Sequence, residues 1–198
     1  MSMMAETYLL QAIQTGLSQI QADTGLLVDI LDALNANELA SAQNYFATAK
    51  IKVAPGFPME QTDMPFIGVT VATMQPLSNR MPIGWTSETI NNGNDSTIVQ
   101  GFPVEGVIKA TIYTPNADLI IWLSEVVYWA LATQLSFFTE QGFGDVQFSM
   151  GDYEPTRDFL PVFTFARGIT FSAKWLKSFA ATVPNVTSTE ITLIDTGD

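Results

Sequence analysis

The chain of 198 residues contains no cysteine and no histidine. Without cysteine it forms no disulfide, offers no thiolate nucleophile and builds no thiolate-ligated zinc or iron–sulfur site. Without histidine it lacks the commonest general base and the commonest metal ligand. Basic residues are also scarce, with 8 Lys+Arg against 20 Asp+Glu and a formal net charge of -12. That balance argues against wrapping a nucleic-acid backbone, which needs clustered cations. Charged residues of both signs make up only 14% of the chain, while hydrophobic residues make up 47%. A free domain usually carries more surface charge than this. A subunit that covers much of its surface with copies of itself does not need to.

The acids are unevenly placed. Residues 1–49 hold five acids and no base, and residues 115–155 hold six acids and no base. Residues 50–114 hold five acids and four bases, and residues 156–198 hold four of each. The deficit falls on the two segments with helical periodicity. Solvated helix faces explain it, and so does an acidic surface that repels DNA or meets a basic partner.

Tyr8, Leu9, Ala12, Ile13, Leu17 and Ile20 recur at helical spacing over residues 4–22. Asp23-Thr24-Gly25 interrupts the period, which resumes from Leu26 to Leu34. Residues 35–43 are small and polar and read as a loop or a short helix. Residues 49–53 and 66–72 read as strands, separated by proline-rich turns. Residues 75–96 read as a long loop containing Met81 and Trp85, with a tight turn at Asn91-Asn92-Gly93-Asn94-Asp95. Two apolar side chains so placed suit packing on a partner or back onto the chain's own core.

Residues 97–114 have strand composition and fit one bent strand or a hairpin. Thr114-Pro115 then suggests a helix start, opening an apolar helix over 116–140 that Gly142 closes. The run from Leu119 to Phe138 is 20 residues long, enough to span a bilayer. Glu125 within it, acidic flanks and no nearby Lys or Arg argue against spanning. A helix this apolar is expected to be buried on two sides. The opening MSMMAETYLL has no basic stretch before a long apolar run, so no signal peptide is expected.

Val146, Phe148 and Met150 alternate as a strand, and Asp152-Tyr153-Glu154-Pro155 reads as a turn. From 159 to 175 the alternation is strict, with Phe163, Phe165, Ile169, Phe171, Ala173 and Trp175 on one face. This is one strand, or two joined at Gly168. Arg167 falls on the apolar face. Either a bulge at Arg167-Gly168 turns it outward, or it pairs with a neighbour's carboxylate. Residues 181–198 read as a C-terminal extension, free or docked as an arm. Ile191, Leu193 and Ile194 favour docking.

No motif for catalysis emerges. GxxxxGK, GxGxxG and GxSxG are all missing. Asp145, Asp152 and Glu154 could supply oxygen ligands to a hard cation but lack the spacing of a calcium loop, and an acidic turn explains them. No enzyme activity, cofactor or metal is expected.

The expected fold class is α+β. A mixed, mainly antiparallel sheet is packed by an N-terminal helical segment and one long apolar helix within residues 1–180. An extended C-terminal arm covers 181–198.

Three stretches carry a family likeness. Phe57-Pro58-Met59-Glu60 leads to Asp63-Met64-Pro65-Phe66-Ile67 as an edge-strand entry. An apolar helix follows a strand at Tyr113-Thr114-Pro115-Asn116-Ala117-Asp118. Ser149-Met150-Gly151-Asp152-Tyr153-Glu154-Pro155 leads to a strand rich in Phe. In this order of elements the chain resembles the tail terminator and neck (tail-completion) proteins of long-tailed bacteriophages.

The resemblance implies a structural virion protein assembled in the host cytoplasm as a hexameric ring. The ring would end the tail tube and join it to the neck connector, with DNA passing through an acidic lumen. Met81, Trp85, Arg167, Ile191, Leu193 and Ile194 are the candidate subunit-interface residues. Another tail, sheath-associated or baseplate subunit, or a non-viral oligomeric binding module, remains an alternative.

Overall fold

A computed structural model describes residues 5–58, 64–77, 86–92, 95–152 and 164–184. The elements follow in the order α1 (Ala5–Ala22), a 3-10 turn (Thr24–Leu26), α2 (Leu27–Ile30), α3 (Ala36–Thr48), β1 (Lys52–Pro55), β2 (Phe66–Pro76) and β3 (Thr86–Asn92). After these come β4 (Asp95–Thr114), α4 (Ala117–Thr133), α5 (Leu135–Glu140), β5 (Gly144–Asp152) and β6 (Phe165–Pro184). The class is α+β, with a mixed sheet in the order β1-β2-β4-β6-β5. β3 pairs with β4 off that path. Among the described strands β1 and β2 run parallel and the other ladders are antiparallel.

Local chemistry sets the helix ends. Asp23 accepts a hydrogen bond from the Gly25 N–H, so the chain turns where the helical period of α1 breaks. Asn35 caps α3 by accepting from the N–H groups of Asn37 and Glu38, and Glu38 returns a bond from the Asn35 N–H. This capping box satisfies three backbone donors. It carries α3 to Thr48, past the short polar stretch expected there.

The helix expected over 116–140 is two. Asn116, not Thr114, is the N-cap of α4, accepting from Asp118 N and Leu119 N. Pro115 precedes the cap, and Thr114 donates to the Asn116 carbonyl. Gln134 separates α4 from α5. Thr133 bonds back to the Trp129 and Ala130 carbonyls just before the break. Gly142, at φ 84, ends α5. Its N–H reaches Thr139 O, and the Phe143 N–H reaches Phe138 O. This is a left-handed C-cap with its usual apolar contact, here Phe138 on Phe143.

One face of the sheet carries the helices. Ile67, Val69, Ile108, Ala110, Ile112, Ile169 and Phe171 point into the core with Leu9, Ile13, Ile20, Leu123, Val127 and Leu131. Alternation places Thr70, Lys109, Thr170 and Ser149 in one row on the opposite face. Polar side chains of this kind let an antiparallel sheet face water.

Two strand expectations are corrected, the loop over 75–96 and the extension from 181, and two open alternatives are decided. The stretch 75–96 is not a loop throughout: β2 runs to Pro76, and Thr86–Asn92 pairs with β4 from Gly101 to Asp95. Its polar composition, Thr-Ser-Glu-Thr-Ile-Asn-Asn, hides the strand, because β-propensity in a hairpin is carried by pairing as much as by apolar burial. β4 is one strand of 20 residues. β6 is also one strand of 20 residues, unbroken at Gly168. It runs through Pro184, so residues 181–184 belong to the sheet rather than to an extension.

The β4–β6 ladder outruns its neighbours. β2 leaves β4 at Pro76↔Val104, and β5 leaves β6 at Gly144↔Lys174. The ladder itself continues to Asp95↔Pro184. At about 3.3 Å per residue, this three-stranded ribbon of β3, β4 and β6 reaches ~30 Å beyond the body.

Candidate assembly surface

α4 is positioned by contacts on two sides. On one, Ala130 meets Gly16 of α1 so closely that a Cβ on Gly16 would overlap the Ala130 methyl. On the second, Leu123, Val126 and Val127 are buried in the core. No helix among the described residues is long and apolar enough to cross a membrane.

The remaining side of α4 is uncovered and carries Ile121 and Tyr128 beside the half-buried Glu125. At about 100° per residue, Ile121 and Tyr128 lie opposite Ala130. Ile121, Tyr128 and Leu135 recur every seven residues and are 37% to 46% exposed. Tyr128 also touches Phe148 of β5, with ring centroids 6.5 Å apart. The stripe therefore stands above the outer strand of the sheet. Met150 of β5 and Phe165 of β6 add exposed apolar surface to the same helix-bearing face. Each of the five is 37% to 46% exposed, and apolar side chains left open on one face suit a contact with another molecule.

Arg167 ties this flank together. Its Nε donates to Asp152 of β5 at 2.9 Å, and its Nη1 donates to Ser124 Oγ of α4 at 3.1 Å. Ser124 is fully buried and donates in turn to the Ile121 carbonyl. No bulge turns Arg167 outward, for the register passes unbroken from Arg167↔Ile112 to Gly168↔Thr111. The carboxylate it meets is its own chain's. Replacing Arg167 with Met is expected to cost about 1 kcal/mol, the scale of a partly exposed, charge-assisted bond. A urea midpoint lowered at unchanged slope would register the loss.

Asp145 and Asp152 are not brought together. They stand at opposite ends of β5, Asp145 held by Lys174 at 2.6 Å and Asp152 by Arg167. The Lys174 hydrogen bond and charge hold the Asp145 carboxyl below its usual range. The same contact raises the Lys174 ammonium. Glu154 lies outside the described residues, and among those described no three acids gather at metal-binding distance. A depression of about 420 Å³ along α1 is lined by Gln11, Gln14, Thr15, Ser18, Gln19 and Ala22, all uncharged.

Of the candidate interface residues, Arg167 is the one the structure describes; Met81, Trp85, Ile191, Leu193 and Ile194 lie outside the described residues. The α4 stripe was missed in the sequence because its heptad spacing hides inside a run apolar nearly all round. It emerges only once α1 is seen to cover one side. No protein-family model matches the chain, and no curated protein is significantly similar to it.

Proposed function

We propose that this chain is a structural subunit that assembles with copies of itself into a ring at the head-proximal end of a phage tail. In this reading a hexamer ends the tail tube and joins it to the neck connector. One observation carries the self-assembly: Ile121 and Tyr128 stay exposed on α4, whose other faces pack on α1 and the core, and Leu135 at the start of α5 is exposed beyond them. With 14% charged residues, the chain spends little charge on keeping such a surface solvated. The place in a tail rests on the resemblance in element order described above.

A net charge of -12 supports passage of DNA through such a ring without adhesion, since like charge opposes phosphate contact. Other tail, sheath-associated or baseplate subunits share the requirement for self-assembly and are the second reading.

Mass measurement tests the proposal. A stable ring of about six copies is expected by light scattering or native mass spectrometry, with an annular outline in electron micrographs. A monomer at micromolar concentration would refute it. Tyr128→Glu should lower the assembled fraction while leaving the monomer folded, because Tyr128 is a surface residue whose apolar ring the proposal places in the contact.

A further inference from the structure

Two charged side chains on opposite sides of the sheet lack a partner in their own chain. The first is Glu125 of α4. Four residues after Ile121 and three before Tyr128, it lies on the open flank between them, half-buried. Its carboxylate makes no hydrogen bond or ion pair among the described residues. The second is Lys109 of β4. It stands in the row Thr70, Lys109, Thr170 and Ser149, on the face of the sheet away from the helices. Lys109 is also half-buried, and its ammonium makes no ion pair among the described residues.

A charge without a partner becomes costly once a contact strips the remaining water from it. A copy of the chain that covers the α4 flank must therefore bring a cation to Glu125. The helices cannot bring it. All 8 Lys and Arg fall in residues 50–114 and 156–198, and residues 1–49 and 115–155 hold none. A two-fold contact of α4 on α4 sets Asp118 and Glu125 against their own copies, acid facing acid.

Most bases of the sheet are engaged. Arg167 holds Asp152 and Ser124, and Lys174 holds Asp145. Lys52 lies over the Phe66 ring, and Lys177 reaches Met74 Sδ. Lys50 sits off the sheet, between α3 and β1, and Arg80 and Arg157 lie outside the described residues. Lys109 remains, and its surroundings suit a helix flank. The next row contains Gly168 and Gly151, and a Cβ added at Gly151 would meet nothing within 4 Å. Small side chains across neighbouring strands leave a floor on which Ile121 and Tyr128 can lie.

We propose that the α4 flank of one copy packs on the outer sheet face of the next, with Glu125 paired to Lys109 across the contact. It rests on the self-assembly proposed above and names the second surface. Because the two surfaces differ, the contact is heterologous, the kind that closes into a ring when the rotation permits.

Charge reversal tests the pairing. Glu125→Lys and Lys109→Glu should each lower the association constant at least about tenfold, read as the assembled fraction by native mass spectrometry across a dilution series. Mixing the two variants should recover assembly, because one then presents lysine at both positions and the other glutamate at both. The recovered species should contain the two in equal numbers. Glu125→Gln and Lys109→Met remove one charge each, and combined in one chain they should cost less than the sum of their separate effects. Circular dichroism of all variants should match the parent.

A reversal that leaves the association constant unchanged, or a mixture that recovers nothing, overturns the pairing and leaves the self-assembly standing. A parent protein that is monomeric by mass overturns both.

Discussion

Gly16→Leu is expected to lower the melting temperature by about 6–12 °C, corresponding to ~3 kcal/mol of overpacking at the α1–α4 crossing. The reason is geometric. α1 and α4 approach until Gly16 touches Ala130, where even one Cβ would overlap the neighbour's methyl. Room for a larger side chain can come only from separating the helices. Both are anchored by buried neighbours, Ile13 and Leu17 on one and Val127 and Leu131 on the other, so separation opens voids elsewhere.

Gly16→Ala makes the sharper test. Helix propensity alone would make that change stabilising by about 1 kcal/mol. Steric overlap predicts the opposite sign. Adding Ala130→Gly should recover most of the loss, because the two positions share one space. Thermal melts of the two single variants and the double variant decide it. A rise for Gly16→Ala alone would show that the helices do not meet there.

Phe138→Ala is expected to cost about 4 kcal/mol, close to the top of the range for single substitutions. Phe138 is fully buried at the end of α5, where the sheet, α5 and the following turn converge. Its ring lies 4.9 Å from that of Phe171 and within 6.2 Å of Phe137, Phe143 and Phe148. Losing it removes the apolar contact of the α5 C-cap and the centre of this aromatic cluster together. Neighbouring rings held on two strands and a cap cannot all collapse into the space, so a cavity remains.

Phe165→Ala is the matched control. Phe165 is 44% exposed, and its removal should change the stability of a single copy by under about 0.5 kcal/mol. If copies assemble through the α4 flank, the same substitution should weaken the assembly instead. Denaturant midpoints measured at low and high protein concentration separate the two effects.

Much of the fold was readable in the residues. Period 3.6 marked α1, and its break at Asp23-Thr24-Gly25 fell where Asp23 takes the Gly25 N–H. Strict alternation marked β6 and assigned its faces correctly, with Ile169 and Phe171 buried and Thr170 and Ser172 less so. Local signals were nonetheless missed. Asn35 and Glu38 spell a capping box, and the strand Thr86–Asn92 precedes the tight turn read at 91–95. The cap and the strand are hard to see because both segments are polar, which suits a loop or short helix at 35–43 and a loop at 75–96.

What residues at one or two turns' distance can encode is period, cap and turn, and those are legible in a linear chain. The charge census belongs with them: 20 acids, 8 bases and neither histidine nor cysteine follow from the residues alone. Which flank of α4 would be left open is marked in the sequence only by Asp118 and Glu125, since the rest of that helix is apolar on every side. Only the packing of Gly16 against Ala130 and of Leu123 against the core selects the uncovered side. The partner of Arg167 was equally hidden. Asp152 lies 15 residues away in sequence and becomes its neighbour through strand register, which depends on the whole sheet. The unequal sheet edges are likewise a tertiary property, because a strand becomes an edge only when the order of the others is settled.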